Sequence, residues 1–135
     1  MNTGKFAISV HILTILATTK EEWLSSEYLA GSINISPVLV RKELINLRKN
    51  GLVISKEGKS GGCRLAKAAR QILMSDIYRA VMQQDLLGKG ISAPNPKCPI
   101  GRNINQSLEA LSNEAEKAVL NILGQKNLAD FSTQF

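Results

Sequence analysis

The 135-residue sequence is poor in several residue types, and each shortage excludes a class of protein. Two cysteines cannot build a disulfide framework, so nothing indicates an oxidising compartment. A single histidine leaves a metal site or a histidine-based catalytic centre without partner residues. No apolar run reaches the roughly 18 residues that a membrane-spanning helix needs. We therefore expect a cytoplasmic protein with no bound metal and no membrane partner.

Composition and charge indicate a globular domain with one basic half. Hydrophobic residues make up 44% of the chain and charged residues 21%, as in folded proteins rather than disordered or fibrous ones. The length suits one domain, or a small domain with an arm. Of the 17 Lys and Arg and the 11 Asp and Glu residues, positions 1–70 hold 11 and 5. This surplus of positive charge in the first half predicts contact with a polyanion.

The first half of the chain has the pattern of three helices followed by a hairpin. Apolar spacing predicts helices over 6–17, 25–33 and 36–50, the last started by Ser36 and Pro37. Alternating residues on both sides of a basic, glycine-rich turn then predict a β-hairpin. A further helix follows, and we expect Ser75 and Asp76 to cap it.

The second half predicts a long helix with an apolar seam. Three of the four prolines lie in residues 84–99, which we interpret as a linker. After it, apolar residues repeat at heptad spacing: Ile104, Leu108, Leu111, Ala115, Ala118 and Ile122. A helix of about 25 residues would be about 37 Å long and would extend beyond so small a domain. We therefore expect the seam to pair with a second copy, or with the first helix of a partner subunit, in a homodimer.

The order of these elements is that of a winged helix-turn-helix protein. Ala30 is small where two helices must approach, Asn34 tolerates the left-handed turn, and Val40 anchors the second helix. The predicted fold is mainly α with a small β-hairpin. Its predicted divisions are a winged helix-turn-helix DNA-binding domain at 1–83, the Pro-rich linker loop at 84–99, and a dimerisation helix with a C-terminal tail at 100–135.

Two groups of residues are candidates for contact with double-stranded DNA. The start of the second helix of the unit faces the major groove in such folds, and the hairpin approaches the backbone or a narrow minor groove. Cationic side chains can donate to guanine or phosphate, Val38 offers a methyl surface to thymine, and glycines add no bulk. The helix residues are Ser36, Pro37, Val38, Arg41 and Lys42, and the hairpin residues are Lys59, Ser60, Gly61, Gly62 and Arg64.

Two other classes of function have to be weighed against DNA binding. A winged helix can serve as a protein-interaction module whose basic face is incidental, and a salt titration separates the two because phosphate contacts are salt-sensitive. An enzyme would have to be built on the thiol and cation of Cys98 and Arg102, but the chain supplies no second histidine and no nearby acidic pair. We therefore predict that the protein is not an enzyme.

Several segments resemble the Rrf2 family of bacterial transcriptional regulators along nearly the whole chain. The matching segments are residues 6–13, 36–42, 47–53, 61–65 and 76–81, while residues 95–101 resemble one branch of the family. The resemblance implies a homodimeric repressor or activator that binds a near-palindromic operator. It also implies dimerisation through the long C-terminal helix.

The cysteines depart from one part of the family pattern. Cluster-binding members carry three cysteines before the long helix, whereas residues 84–104 contain Cys98 alone, so we expect no iron–sulfur cluster and no other cofactor. Cys98 starts a helix near cations, which favours the thiolate and makes it a candidate sensor of oxidants or electrophiles. The alternative is that Cys98 merely packs or caps the helix. We expect Cys63 to pack in the core, and an effector, oxidant or small molecule, to act through the linker.

Overall fold

The computed structural model describes residues 4–19, 22–83 and 85–135. The predicted DNA-binding domain begins within residues 1–3 and the predicted linker begins at 84, and both positions lie outside the described residues. The elements are α1 (Lys5–Thr19), α2 (Ser26–Ile33), α3 (Pro37–Lys49), β1 (Val53–Lys56), β2 (Gly62–Leu65), a 3-10 turn (Ala69–Gln71), α4 (Met74–Val81), α5 (Pro99–Leu123) and α6 (Leu128–Ser132). This order confirms the predicted fold class, a mainly helical chain with one antiparallel hairpin and a long C-terminal helix.

The turn between α2 and α3 is defined by local side-chain chemistry. Asn34 has a φ of 65° and its N–H donates to the carbonyl of Ala30 over 2.7 Å, which ends α2 in the left-handed conformation. Two residues on, Ser36 accepts the N–H of Val38 over 3.2 Å, and Pro37 is the first helical residue. The two helices therefore start and stop where the sequence predicts.

The hairpin is extended by a short piece of backbone that precedes α2. Val53 pairs with Leu65 and Lys56 with Gly62, so β1 and β2 are antiparallel. Leu24 then pairs with Cys63 on the outer side of β2, through N–H···O bonds of 3.0 and 2.8 Å. The wing, the hairpin of residues 53–65, is thus attached through Cys63 to the backbone that precedes α2, one residue from the turn end of its strands.

One hydrophobic core joins the two ends of the chain. The central residues of α1, together with Leu29, Val40, Leu47, Ile77 and Leu128, are fully or almost fully buried. Leu128 belongs to α6, and its N–H donates to the carbonyl of Ile72 over 2.8 Å. The residues after α5 therefore pack against α1 and the 3-10 turn. The predicted domain boundaries stay a prediction, but the end of the 100–135 segment contributes to the same core as the first helix.

The cap of α4 differs from the expectation. The helix begins at Met74 rather than after Ser75, and Ser75 is buried within its first turn. The carboxylate of Asp76 reaches back to accept the N–H of Leu73 over 2.9 Å. Local sequence alone allows a helix that begins after Ser75 as well as one that begins at Met74 with Asp76 in its first turn. A tertiary contact extends the helix to Met74, because the N–H of that residue donates to the carbonyl of Lys126 over 2.9 Å.

Helix α5 leaves most of its surface uncovered by its own chain. Of its 25 residues, Ser112 is the one that the structure buries. Asn105 attaches the linker to α5, accepting the N–H of Ile91 over 3.0 Å and donating to its carbonyl over 2.6 Å. None of the described helices is both long enough and apolar enough to cross a membrane.

Candidate DNA interface

The outer face of α3 carries both cationic and apolar side chains. Val38 is 64% exposed, and Arg41 and Lys42 follow it at helical spacing on the same face. One turn further along, Ile45 is 47% exposed. Cations beside exposed methyl groups are the combination that distinguishes guanine from thymine in the major groove. The structure therefore brings the predicted helix residues together.

Arg41 is held by the start of the neighbouring helix. Its Nη1 donates to Glu27 Oε2 over 3.2 Å and to Ser26 Oγ over 3.5 Å. The Ser26 hydroxyl also lies 3.4 Å from Glu27 Oε1. Because both side chains of the ion pair are more than half exposed, the pair stabilises the fold by less than about 1 kcal/mol.

At the wing, the structure places Lys59 and Ser60 at the exposed turn, and it shows why residues 61 and 62 have to be glycine. A Cβ on Gly61 would overlap the carbonyl oxygen of Lys56, and one on Gly62 would overlap the backbone of Leu24. Gly62 also has a φ of +148°, which side chains disfavour. The packing of the hairpin itself therefore requires both glycines, and the expectation that they also let DNA approach stays a prediction.

Trp23 lies beside two cations of the wing, and the sequence pattern did not indicate this contact. The Arg64 guanidinium lies 4.3 Å from the centroid of its ring, and the Lys56 ammonium lies 5.8 Å from it. Cations over an aromatic face are attracted by its quadrupole. Trp23 thus holds Arg64 and Lys56 on one side of the hairpin, so their two positive charges lie close together.

Other residues of this surface also escaped the sequence-based prediction. Ile45 could have been found by its seven-residue spacing from Val38, which returns to the same helical face. Glu27 and Lys56 carried no such signal, since their partners are fixed by tertiary contacts. Arg48, which helical spacing does place on the exposed side of α3, is a further cation at the end of this helix, and its Nη1 donates to the Ser55 hydroxyl over 3.4 Å.

The two thiols lie in opposite environments. Burial raises the pKa of Cys63 from 9.0 to about 11. Cys98 occupies the N-cap of α5 without a capping hydrogen bond of good geometry, but the N–H groups of Gly101 and Ile100 lower the pKa of its thiol. The thiolate, which is the nucleophilic form, is therefore favoured at Cys98 and disfavoured at Cys63.

The fold and this surface define a winged helix-turn-helix protein that binds DNA. A family model named Rrf2, described as an iron-dependent transcriptional regulator, matches residues 2–134. The chain belongs to the Rrf2 family of transcriptional regulators, as its sequence indicates. Members of this family are regulators rather than enzymes, which confirms that the protein is not an enzyme.

Individual relatives agree with this assignment. YwnA of Bacillus subtilis (strain 168), whose name places it among HTH-type transcriptional regulators, is 35% identical over 130 residues, which cover 96% of each chain. A crystal structure from Lactobacillus plantarum, named as a transcriptional regulator, has a TM-score of 0.81 and 26% identity and covers 96% of this chain and 88% of that one. CymR, the global cysteine regulator of Bacillus subtilis, shares the fold, with a TM-score of 0.72 and 23% identity over 100% of this chain and 98% of its own.

The iron in the family description does not fit the residues of this chain. Within residues 4–19, 22–83 and 85–135, no three His, Cys, Asp or Glu side chains converge as metal ligands. Cys98 stands at the start of α5, whereas Cys63 is buried in the wing beside Leu24. An iron–sulfur cluster is bound by four protein ligands, and the thiolate of Cys98 alone cannot hold one. That the protein works without a cofactor stays a prediction.

Proposed function

We propose that this regulator is a homodimer that represses transcription by occupying a near-palindromic operator. The observation that carries the proposal is the state of α5, a 25-residue helix that buries Ser112 alone among its residues. Leu111 and Ile122 of the predicted seam are 54% and 57% exposed. Exposed apolar surface of this extent on a helix indicates an association face.

The six seam residues differ in how much their own chain covers them. Ile104 and Ala115 are half-buried, while Leu108, Leu111, Ala118 and Ile122 are exposed. A second apolar surface, a groove of about 560 Å³ beside α1, is lined by residues that include Phe6, Val10 and Phe131. The seam of one copy can therefore pack against the same seam of its partner or against the α1 groove, and both arrangements give a dimer.

Such a dimer presents two recognition helices to one duplex. Two-fold related helices that enter adjacent major grooves are spaced by about 34 Å. In this arrangement Arg41, Lys42 and Val38 contact base edges or set the position of α3 on the duplex. The Ser36 hydroxyl, which accepts the N–H of Val38, still has its own O–H to donate to a phosphate. Lys59, Ser60 and Arg64 hold the wing on the backbone. A dimer bound to the operator would keep other proteins from binding the same stretch of DNA. Because chromosomal DNA is the proposed ligand, we expect the protein in the cytoplasm.

A salt titration tests DNA binding against the protein-interaction alternative. We expect log K for a duplex to fall linearly with log salt concentration, by about 0.9 per phosphate neutralised. Fluorescence anisotropy with a labelled duplex selected from a random pool gives this slope. A slope near zero would favour the protein-interaction module and would contradict the proposed function.

We further propose that Cys98 and the linker form the effector-sensing part. Peroxide oxidises a thiolate to a sulfenic acid and is itself reduced to water, which would change the start of α5. A small-molecule effector would instead enter the cavity of about 290 Å³ between linker and α5, lined by residues that include Lys89, Asn105 and Glu109. Both routes act where the reading domain joins the dimerisation helix.

Thiol labelling checks the chemical basis of this sensing. At neutral pH we expect Cys98 to react with iodoacetamide roughly 100-fold faster than Cys63 or more, because the Cys63 pKa rises from 9.0 to about 11 while that of Cys98 falls. Cys98→Ser should remove the fast phase, and Cys63→Ser should leave it unchanged. Equal labelling rates in the native protein would contradict the assignment.

A further inference from the structure

The contact between Glu27 and Arg41 joins the two helices of the DNA-reading unit on their exposed side. Arg41 uses one nitrogen, Nη1, for both of its contacts, to Glu27 Oε2 at 3.2 Å and to Ser26 Oγ at 3.5 Å. The carboxylate is held in turn, because the Ser26 hydroxyl lies 3.4 Å from Glu27 Oε1. Glu27 also lies in the first turn of α2, where the helix dipole favours a negative charge.

This arrangement affects the geometry of Arg41 more than the stability of the protein. Both side chains are largely exposed, at 51% for Arg41 and 69% for Glu27, and such pairs contribute little to folding. A long arginine side chain loses rotamer freedom when it binds, and a side chain that is already held loses less. Because the contacts use Nη1, a guanine can accept from the other donors of the guanidinium fork.

The carboxylate of Glu27 also weakens binding to DNA that offers no guanine to Arg41. In a helix-turn-helix unit the first helix crosses the phosphate backbone, so a carboxylate in its first turn repels phosphates. At a matching site this repulsion is offset by the oriented arginine, and at other sites it is not. Specificity is a difference of affinities, and a repulsive group that acts on the wrong partner raises it.

We propose that Glu27 is a specificity-determining residue that positions Arg41 for guanine and weakens binding to non-matching DNA. The inference rests on the proposed function, since it concerns the same DNA-reading surface. Glu27 acts through Arg41 and through the phosphates, and it makes no base contact of its own. Replacing Glu27 should therefore weaken binding to matching DNA and strengthen binding to non-matching DNA.

The test measures the affinity of the full-length protein for two duplexes of roughly 30 base pairs. One is selected from a random pool by the unaltered protein, and the other is of random sequence. We expect Glu27→Ala to weaken binding to the selected duplex by about 5-fold to 10-fold, as an impaired guanine contact would. Binding to the random duplex should strengthen about 2-fold or more, because a repelling charge is gone.

Further variants separate positioning from charge. Glu27→Gln removes the negative charge, so the affinity for the random duplex should rise. Because the amide oxygen still accepts from Arg41, the affinity for the selected duplex should fall less than in Glu27→Ala. Glu57→Gln removes an exposed carboxylate of the wing turn, away from Arg41, and should raise both affinities by the same factor. In Arg41→Ala protein, adding Glu27→Ala should cause no further loss on the selected duplex, because the two residues act as a unit.

Two results would overturn the inference. Equal changes on both duplexes in Glu27→Ala and Glu27→Gln would indicate a structural or purely electrostatic role. Independent, multiplying losses in the double variant would show that Glu27 does not act through Arg41. If thermal melting shows that Glu27→Ala is unfolded, the test uses Glu27→Gln, and the quantity compared is the ratio of its affinities for the selected and the random duplex. Failure of the unaltered protein to select any sequence would instead defeat the proposed function.

Discussion

Replacing Leu111 and Ile122 together with aspartate is expected to give a monomer that binds a selected duplex about 10²-fold to 10⁴-fold more weakly. Both side chains are more than half exposed in the single chain, so the charges leave its own core intact. In the dimer the same charges would be buried against an apolar surface, which costs several kcal/mol. The monomer keeps each recognition helix but loses the gain from binding two half-sites at once.

Sedimentation and fluorescence anisotropy measure the two parts of this prediction. The matched control combines Gln106→Asp with Asn113→Asp, which puts the same two charges on exposed positions of α5 outside the heptad seam. We expect that variant to remain dimeric and to bind the selected duplex far more tightly than the seam variant does. A seam variant that still sediments as a dimer would show that the seam is not the association face.

The second large effect is expected at Gly62, where alanine should destabilise the protein by about 2–4 kcal/mol. A Cβ at this position would lie 2.6 Å from the Leu24 carbonyl carbon and 2.9 Å from the Leu24 nitrogen. The φ of +148° adds backbone strain. The substitution therefore forces apart Leu24 and Cys63, the pair that attaches the wing to the rest of the domain.

Thermal unfolding measures this loss, and a second glycine provides the control. Gly58 has a φ of +101° but open space around its Cβ position, so Gly58→Ala tests strain without overlap. We expect that variant to lose about 1 kcal/mol and to keep the wing intact. Similar losses in both variants would show that overlap with Leu24 is unimportant.

The sequence predicted those parts of the fold that depend on local chemistry. Ser36 caps α3, Asn34 takes the left-handed turn, and Pro99 begins α5, because each acts within a few residues of its own position. By contrast, the predicted cap of α4 was correct only in part. Both Ser75 and Asp76 were expected to cap the helix; Asp76 does accept the N–H of Leu73, whereas Ser75 is buried within the first turn.

The candidate DNA interface was predicted as a set of positions but not as a set of contacts. The exposed face of α3 follows from helical spacing, which a sequence shows directly. The partners of Arg41 and Arg64 do not, because Glu27 and Trp23 are brought to them only when the helices and the wing have packed. The glycines of the wing show the same limit, since the backbone that crowds Gly62 comes from before α2.

Native mass spectrometry of the unaltered protein with its selected duplex tests the central claim most directly. The account predicts one complex that holds a single duplex and two chains of 14.7 kDa each. It also predicts that this complex forms without a detectable species of one chain on the same duplex. A stable complex of one chain per duplex, or a free protein of 14.7 kDa at the concentrations that saturate the DNA, would contradict it.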